Sequence, residues 1–513
     1  MTKQNSIRLF FLFLFLLLCY FPLFLHLDQL PLRLWDEGRR AVNAFEMVQN
    51  GNFLVTHYAG EPEMWGTKPP LLIWCQVFWI KLLGYTELAI RMPAAIAGLG
   101  TLFVLILFSW KVLKKPMVGF FAALVLLSTR GFISEHMTRS GDFDALLTLW
   151  ETSYLLLFFV FLEKIVNRQS PILNPKWLYL TALFITLAAF TKSIAGFFFA
   201  PTLLLYAIFR KKLKPLLISK HTWFAGLGIL FFIGGFYFLR EMYNPGYIEA
   251  AWENDMGGRY FKSKEGHNHP WYLYFKIMYQ KGHFMPWIWF LPLGIFVGLF
   301  KKGITRNLTT LILINVVLFF SVLMYGQTKI QWYVAPIYPC LALLIGLGFN
   351  TLFEGGWRYL NNLGGDLALS SKFSIAKYLF LSIFVLTIFF QPYQKTIDRI
   401  YFEKLPDHDW KFLKFRDFME RNDEVKNYTI VHRYFNSHVQ YYRSARNLNG
   451  YKINAQPLLD FDLNKYEFGK RPLEFQPSDT LMVCEKKVFP KLDKVYEYEV
   501  LNAWDTCKIL VIK

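Results

Sequence analysis

Charge is scarce in this sequence. Only 18% of its 513 residues are Asp, Glu, Lys or Arg, while 54% are hydrophobic and 53 are phenylalanine. A soluble domain of this length does not need so much apolar surface. Acidic residues are fewer than basic ones, 37 against 56, which leaves a net charge of +19. Cysteine is rare as well, with five in the chain, and there is neither a repeat of fixed period nor a low-complexity tail.

Long apolar runs are what the sequence does have. "LFFLFLFLLLCYFPLFL", Leu9 to Leu25, is the first. Crossing the hydrocarbon core takes about 20 residues at about 1.5 Å each. The run is long for the apolar part of a signal peptide and no A-x-A-like cleavage site follows, so it reads as a retained anchor. Further spans are expected near 89–110, 117–134, 145–162, 177–191, 195–209, 222–240, 285–300, 307–325, 332–350 and 374–391, about eleven helices in all.

Basic residues set the expected orientation. Lys111, Lys114 and Lys115 follow the second span, Lys164 and Arg168 the fourth, Arg210 to Lys214 the sixth, and Lys301, Lys302 and Arg306 the eighth. Every second loop is short and basic, the pattern of cytoplasmic loops. Topology thus accounts for most of the positive charge and no nucleic-acid partner is called for. The intervening loops face outward, so the reading places the site and the C-terminal segment on the extracytoplasmic, periplasmic side of an inner membrane. The chain then divides into a membrane domain, 1–391, and an outer soluble α/β domain, 392–513. In the latter, "DWKFLKFRDFMERN" has helical spacing, while "YTIVH", "TLMVCEK" and "YEYEVL" read as strands. Cys484 and Cys507 lie there, as a disulfide or as two buried thiols. Cys19, Cys75 and Cys340 fall in apolar stretches and read as small hydrophobes.

Polar residues gather in the outward loops. The first, about Leu27 to Thr86, is too long for a connector. It opens with "LRLWDEGRRAV", in which Asp36 precedes an apolar helical series ended by Gly51. Asp36 as a cap and Glu37 as a dipole partner is the plain account, but it leaves Arg39 and Arg40 opposing the dipole in the same turn. Pro69 and Pro70 then open an apolar helix suited to the membrane interface, with Lys68 at its mouth. Arg139, Asp142 and Asp144 occupy the second outer loop and Lys192 the short third; His267 and His269 lie in the fourth, and Lys329, Trp332 and Tyr333 in the fifth. Helix capping, snorkelling and aromatic-belt anchoring account for each alone. Together on one membrane face, these groups suit holding an anionic lipid headgroup and deprotonating something beside it.

The ordered motifs "WDEGRRAVNAFEMVQNGNFLV", "GEPEMWGTKPPLLIW", "ELAIRMPAAIAG", "RSGDFDALL", "FTKSIAG", "HNHPWYLYF" and "TKIQWYVAPIYP" resemble the bacterial aminoarabinose transferases and their relatives. These are polytopic glycosyltransferases of the GT-C fold, related to dolichyl-phosphate-mannose protein mannosyltransferases. The resemblance covers roughly residues 9 to 350 and implies a polyprenyl-phosphate-linked sugar as donor, with no nucleotide sugar. It implies that Asp36, with Glu37 beside it, acts on the acceptor. Arg39 and Lys68 match cations near the lipid phosphate, Lys192 the lysine of the third outer loop, and Tyr333 the tyrosine near the tenth span. Asp144 aligns with the second-loop acid and Asp142 competes with it.

His267 matches a metal-associated histidine, but relatives often carry glutamate before the lysine, as in "FEKPP", where this chain has Thr67. Threonine offers zinc no carboxylate, so weak or absent zinc binding is expected. His269 replaces an arginine of the family motif. With Lys329 these groups make up the expected substrate-binding set. The expected activity is inverting transfer of the sugar to an extracytoplasmic acceptor: lipid A, another glycolipid, a protein or a polysaccharide. A flippase for lipid-linked sugars is the alternative, and it would place ionisable groups near the bilayer midplane.

Overall fold

A computed structural model describes residues 3–134, 136–167, 175–263, 266–363, 371–402, 407–462, 467–470 and 473–513. Arg168, counted above among the loop cations, lies outside the described residues. The chain forms two compact units, Met1–His26 with Pro93–Phe402 and Leu27–Met92 with Glu403–Lys513.

The first unit is a polytopic helical membrane domain. It begins with helix α1 (Lys3–Leu23). In the second unit follow α2 (Asp36–Asn50), α3 (Leu71–Leu83) and the start of α4 (Glu87–Lys111), which continues into the first. The first unit then holds α5 (Pro116–Leu127), α6 (Arg130–Ile133), α7 (Asp144–Asn167), α8 (Lys176–Lys192) and further long helices up to Ser371–Tyr401. Among the described residues seven helical segments are long and apolar enough to cross a membrane; Leu12–Leu23, Leu71–Leu83, Pro116–Leu127, Ala200–Phe209 and Trp287–Phe300 are apolar but shorter. Each of the eleven expected spans overlaps one of these segments, but among the described residues seven have the length to cross a membrane.

Proline at the first helical turn starts α5, Ala200–Phe209 and Leu291–Phe300, where its missing N–H costs nothing. Lipid as solvent explains the outer surface. Helix Lys220–Tyr243 leaves Phe231 74% exposed and Leu230 69% exposed, a patch that would drive aggregation in water. Helix Ser371–Tyr401 continues through Pro392, so the expected boundary at 391 falls within a helix.

One buried carboxylate ties three segments of this unit together. Glu163 of α7 accepts from Arg210 Nη2 at 3.2 Å, from the Tyr206 hydroxyl at 2.9 Å and from Asn307 Nδ2 at 2.8 Å. Glu163→Ala strands all three donors and is expected to cost about 3 kcal/mol, read as a lower thermal-aggregation midpoint in detergent. An unchanged midpoint would show that the cluster is solvated and contributes nothing.

The second unit is α/β. Its five-stranded sheet runs in the order Lys452–Pro457, Asn427–His432, Thr480–Val483, Cys507–Ile512, Tyr498–Trp504; the first three are parallel and the last two join antiparallel. The strand expected from "YEYEVL" begins two residues later, at Tyr498. Cys484 and Cys507 form a disulfide beside this sheet. Helix Ser437–Asn447, capped by Asn436 through the Val439 N–H, packs on α2 and fastens the approach to it. His438 Nδ1 lies 2.9 Å from the Leu32 carbonyl, the Tyr442 hydroxyl accepts the Leu32 N–H at 3.0 Å, and Ser437 Oγ donates to the Leu34 carbonyl.

Candidate active site

In the second unit, α2 presents the acidic pair. Asp36 is the first helical residue, and the cap position belongs to Trp35, whose side chain makes no capping bond. Gly51 ends the helix in the left-handed region at φ +67°, its N–H on the Met47 carbonyl at 3.1 Å. The Asp36 side chain is 46% exposed, with Oδ1 3.7 Å from Arg40 Nη2 one turn on. Gly38 is required here because a Cβ would come within 2.6 Å of Ser437 Oγ and 2.7 Å of the Arg33 carbonyl.

Glu37 is buried and locked. Arg91 donates Nε to Oε1 at 2.7 Å and Nη2 to Oε2 at 2.9 Å, and the Arg33 N–H adds a bond of 2.9 Å. The remaining Arg91 N–H groups meet the carbonyls of Leu27, Leu30 and Pro31. Burial alone would raise the Glu37 pKa; the Arg91 charge and these bonds outweigh it and hold the carboxyl at about 2. Such a carboxylate has little proton affinity near neutral pH and makes a poor base.

Arg39 is committed in the same way. It is buried, with Nε 2.6 Å and Nη2 2.7 Å from the two oxygens of Glu63, and its guanidinium lies 5.1 Å from the Tyr58 ring centre and 5.5 Å from that of Phe435. Glu63 also accepts the N–H of Trp65 at 2.8 Å and of Gly66 at 3.0 Å. Burial works against its ionisation, but Arg39 and these bonds hold it at about 2. Lys68 is half-buried and Thr67 fully buried.

The first unit brings together a second set. Asp144 opens α7 and Lys192 closes α8, with Nζ on Oδ1 at 2.6 Å and 4.9 Å from the Tyr333 ring centre. Asp142 accepts from Ser140 at 3.0 Å and lies 3.1 Å from His136 Nδ1; the His136 ring stacks on Trp332 at 3.6 Å. The segment carrying His267 and His269 pairs with residues 326–329. Lys329 N–H meets the His267 carbonyl at 3.0 Å, and its ammonium, buried, caps the Gly326 carbonyl at 2.6 Å. His267 is half-buried and His269 exposed, their ring centres 6.2 Å apart. Tyr333 and Trp332 are both half-buried.

Sequence reading missed Arg91 and Glu63, the partners of Glu37 and Arg39, and His136 beside Asp142. It also missed Glu151, fully buried within α7. A lone glutamate inside an apolar run was the available signal for Glu151.

A zinc site of the family type does not fit these residues. Thr67 stands at the glutamate position, and Glu63, the carboxylate of the 63–68 segment, is engaged by Arg39 and two backbone N–H groups. Among the described residues His267 belongs to no group of three His, Cys, Asp or Glu that could share an ion.

Buried acids and histidines make the stability of the second unit pH-dependent. Burial pushes His438 down to about 3 and His432 to about 4, from 6.5. Their neutral forms stabilise the fold fully above pH 6.5, and that contribution falls as pH drops toward those values. Glu37 and Glu63 contribute fully above pH 4.5 and lose it as pH falls toward 2. The melting temperature of the full chain is therefore expected to fall from pH 6.5 downward and more steeply below 4.5. His438→Gln should flatten the upper part; a flat profile between pH 7 and 4 would contradict the assignment.

Residues 67–236 match the family profile described as dolichyl-phosphate-mannose-protein mannosyltransferase. The chain is 26% identical over 372 residues to the undecaprenyl phosphate-alpha-4-amino-4-deoxy-L-arabinose arabinosyl transferase of Aeromonas salmonicida, and 27% identical over 383 residues to that of Aeromonas hydrophila. These matches cover 70% and 71% of this chain but 64% of each enzyme's length. The crystal structure of ArnT from Cupriavidus metallidurans bound to undecaprenyl phosphate superposes with a TM-score of 0.70 at 14% identity, over 100% of this chain and 98% of that one. The chain is thus a polytopic membrane protein of the GT-C fold, similar in sequence to these arabinosyl transferases over about 70% of its length.

Proposed function

We propose that the protein is an integral-membrane glycosyltransferase that moves a sugar from a polyprenyl phosphate to an extracytoplasmic acceptor at the inner membrane. The observation that carries the reading is Lys192, held by Asp144 at 2.6 Å beside the ring of Tyr333, where α7 begins and α8 ends. An ammonium has three N–H donors, so it can keep Asp144 and still meet a phosphate oxygen. Lys192, with His269, holds the donor phosphate in this reading. As the sugar leaves, the phosphate gains negative charge, and fixed cations there stabilise the transition state.

Asp36 takes the acceptor's proton. It is the exposed member of its pair, whereas Glu37 is held ionised by Arg91. Glu37 and Arg39 therefore serve to position α2 rather than to react. Attack from the face opposite the phosphate inverts the anomeric centre, by analogy with inverting glycosidases. Asp142, engaged by His136, stands beside Asp144 as the other second-loop acid.

Lys192→Ala is expected to weaken undecaprenyl phosphate binding about tenfold, the scale of one charge-assisted contact. Binding unchanged in that variant would remove the donor from this site. Orientation is tested separately, by cysteine-accessibility labelling in intact cells. Positions 114 and 212 are expected to be cytoplasmic, and 36, 267 and the C-terminal unit external; labelling of position 212 from outside would reverse the topology.

A further inference from the structure

A cavity of about 510 Å³ opens in the membrane unit, sharing Trp332 with the surroundings of Asp142 described above. Arg130, Lys281, His283, Gln331, Trp332 and Tyr338 line it, and among the described residues no carboxylate does. The Arg130 and Lys281 side chains are exposed at its rim, and snorkelling cations at a membrane edge would look the same. Tyr338 separates the two accounts.

Tyr338 is fully buried, and its hydroxyl has no hydrogen-bond partner among the described residues. Its ring is stacked flat on Phe284, with centres 5.2 Å apart and planes within 4°. The backbone of Gly131 presses against its edge, so closely that a Cβ at 131 would lie 2.6 Å from Cε2 and 2.7 Å from the hydroxyl oxygen. The Gly131 N–H is taken by the His283 carbonyl at 2.8 Å, and Arg130 Nη1 donates to the Lys281 carbonyl at 3.1 Å, which ties the two walls together. A rigid, dehydrated donor beside a cavity that holds a guanidinium, an ammonium and, among the described residues, no acid is a half-built anion site.

We propose that this cavity is a phosphate subsite, taking a phosphomonoester between Arg130 and Lys281 with the Tyr338 hydroxyl donating from below. It is separate from Lys192, although the two are joined through one turn: Trp332 lines the cavity, while the next residue, Tyr333, carries the Lys192 ammonium beside its ring. Trp332 also stacks on His136, which holds Asp142, so occupancy bears on the second-loop acids as well. The proposal stands whether or not the chain transfers sugar.

The test uses the full chain in phosphatidylcholine nanodiscs, with calorimetric titration of inorganic phosphate and, separately, of undecaprenyl phosphate. Arg130→Gln with Lys281→Gln is expected to weaken inorganic phosphate binding at least tenfold and to leave undecaprenyl phosphate binding within about twofold. Lys192→Ala is expected to do the reverse. Tyr338→Phe removes a hydroxyl that has no partner, so its melting temperature should equal or exceed that of the parent while phosphate affinity falls several-fold. Repeating the titration with phosphatidic acid in the disc distinguishes the sources: competition assigns the subsite to a lipid headgroup, and its absence to a soluble phosphate. Phosphate binding that survives both the Arg130/Lys281 pair and Tyr338→Phe, or no phosphate binding by the parent chain, overturns the proposal. Loss of undecaprenyl phosphate binding alone would count against the transferase reading and not against this one.

Discussion

Asp36→Asn is expected to reduce sugar transfer by about 100-fold or more, the scale of a positioned general base. Asparagine keeps the size and hydrogen-bonding capacity of the side chain and loses its proton affinity. Asp36 is the first residue of α2 and not its cap, and its side chain is 46% exposed, so the helix does not depend on its charge for closure. Undecaprenyl phosphate binding should survive or tighten, because a negative charge has been removed. The separation of binding from turnover is the diagnostic feature. If turnover survives in a normally folded Asp36→Asn protein, the base lies elsewhere, with Asp142 and Asp144 the next candidates and Glu37 excluded by its salt bridge to Arg91.

Arg91→Ala should be the most damaging change for the fold. It leaves Glu37, 1% exposed, without its counter-charge, and the carbonyls of Leu27, Leu30 and Pro31 without their donor. Breaking a buried ion pair from one side costs about 3–5 kcal/mol. The second unit should then melt well below the parent protein or be cleaved by protease near the α2 approach. Arg91→Ala with Glu37→Gln should recover part of the loss, because the uncompensated charge is gone. A single variant as stable as the parent would show that water reaches Glu37.

Both outcomes bear on what the sequence could and could not reveal. Apolar runs and basic loops report directly on a bilayer solvent, so the polytopic helical architecture was legible, as was the α/β alternation after the last span. Proline marked the start of α3 at Pro70. Partnership was not legible. Arg39 reads as a cation awaiting phosphate until Glu63, 24 residues on, takes its Nε and one Nη donor. Glu37 reads as a second acid until Arg91, 54 residues on, closes over it. Local spacing says which charges share a helical turn; it does not say which distant charge the fold will bring to them. The lysine of "FTKSIAG" and the acid of "RSGDFDALL" were both singled out, but only the packing of α7 on α8 makes them a pair. Cys484 and Cys507 were open to two readings for the same reason, and strand neighbours bring them together.

The central claim, transfer of a sugar from a polyprenyl phosphate outside the cytoplasm, is tested most directly by mass spectrometry of lipid-linked sugars and envelope glycans from cells with and without the gene. Cells lacking it are expected to accumulate one polyprenyl-phosphate sugar and to lose the same sugar from one envelope glycan, lipid or protein. The gene encoding Asp36→Asn should fail to restore it. Unchanged levels of every polyprenyl-phosphate sugar and every envelope glycan in cells lacking the gene would contradict the account.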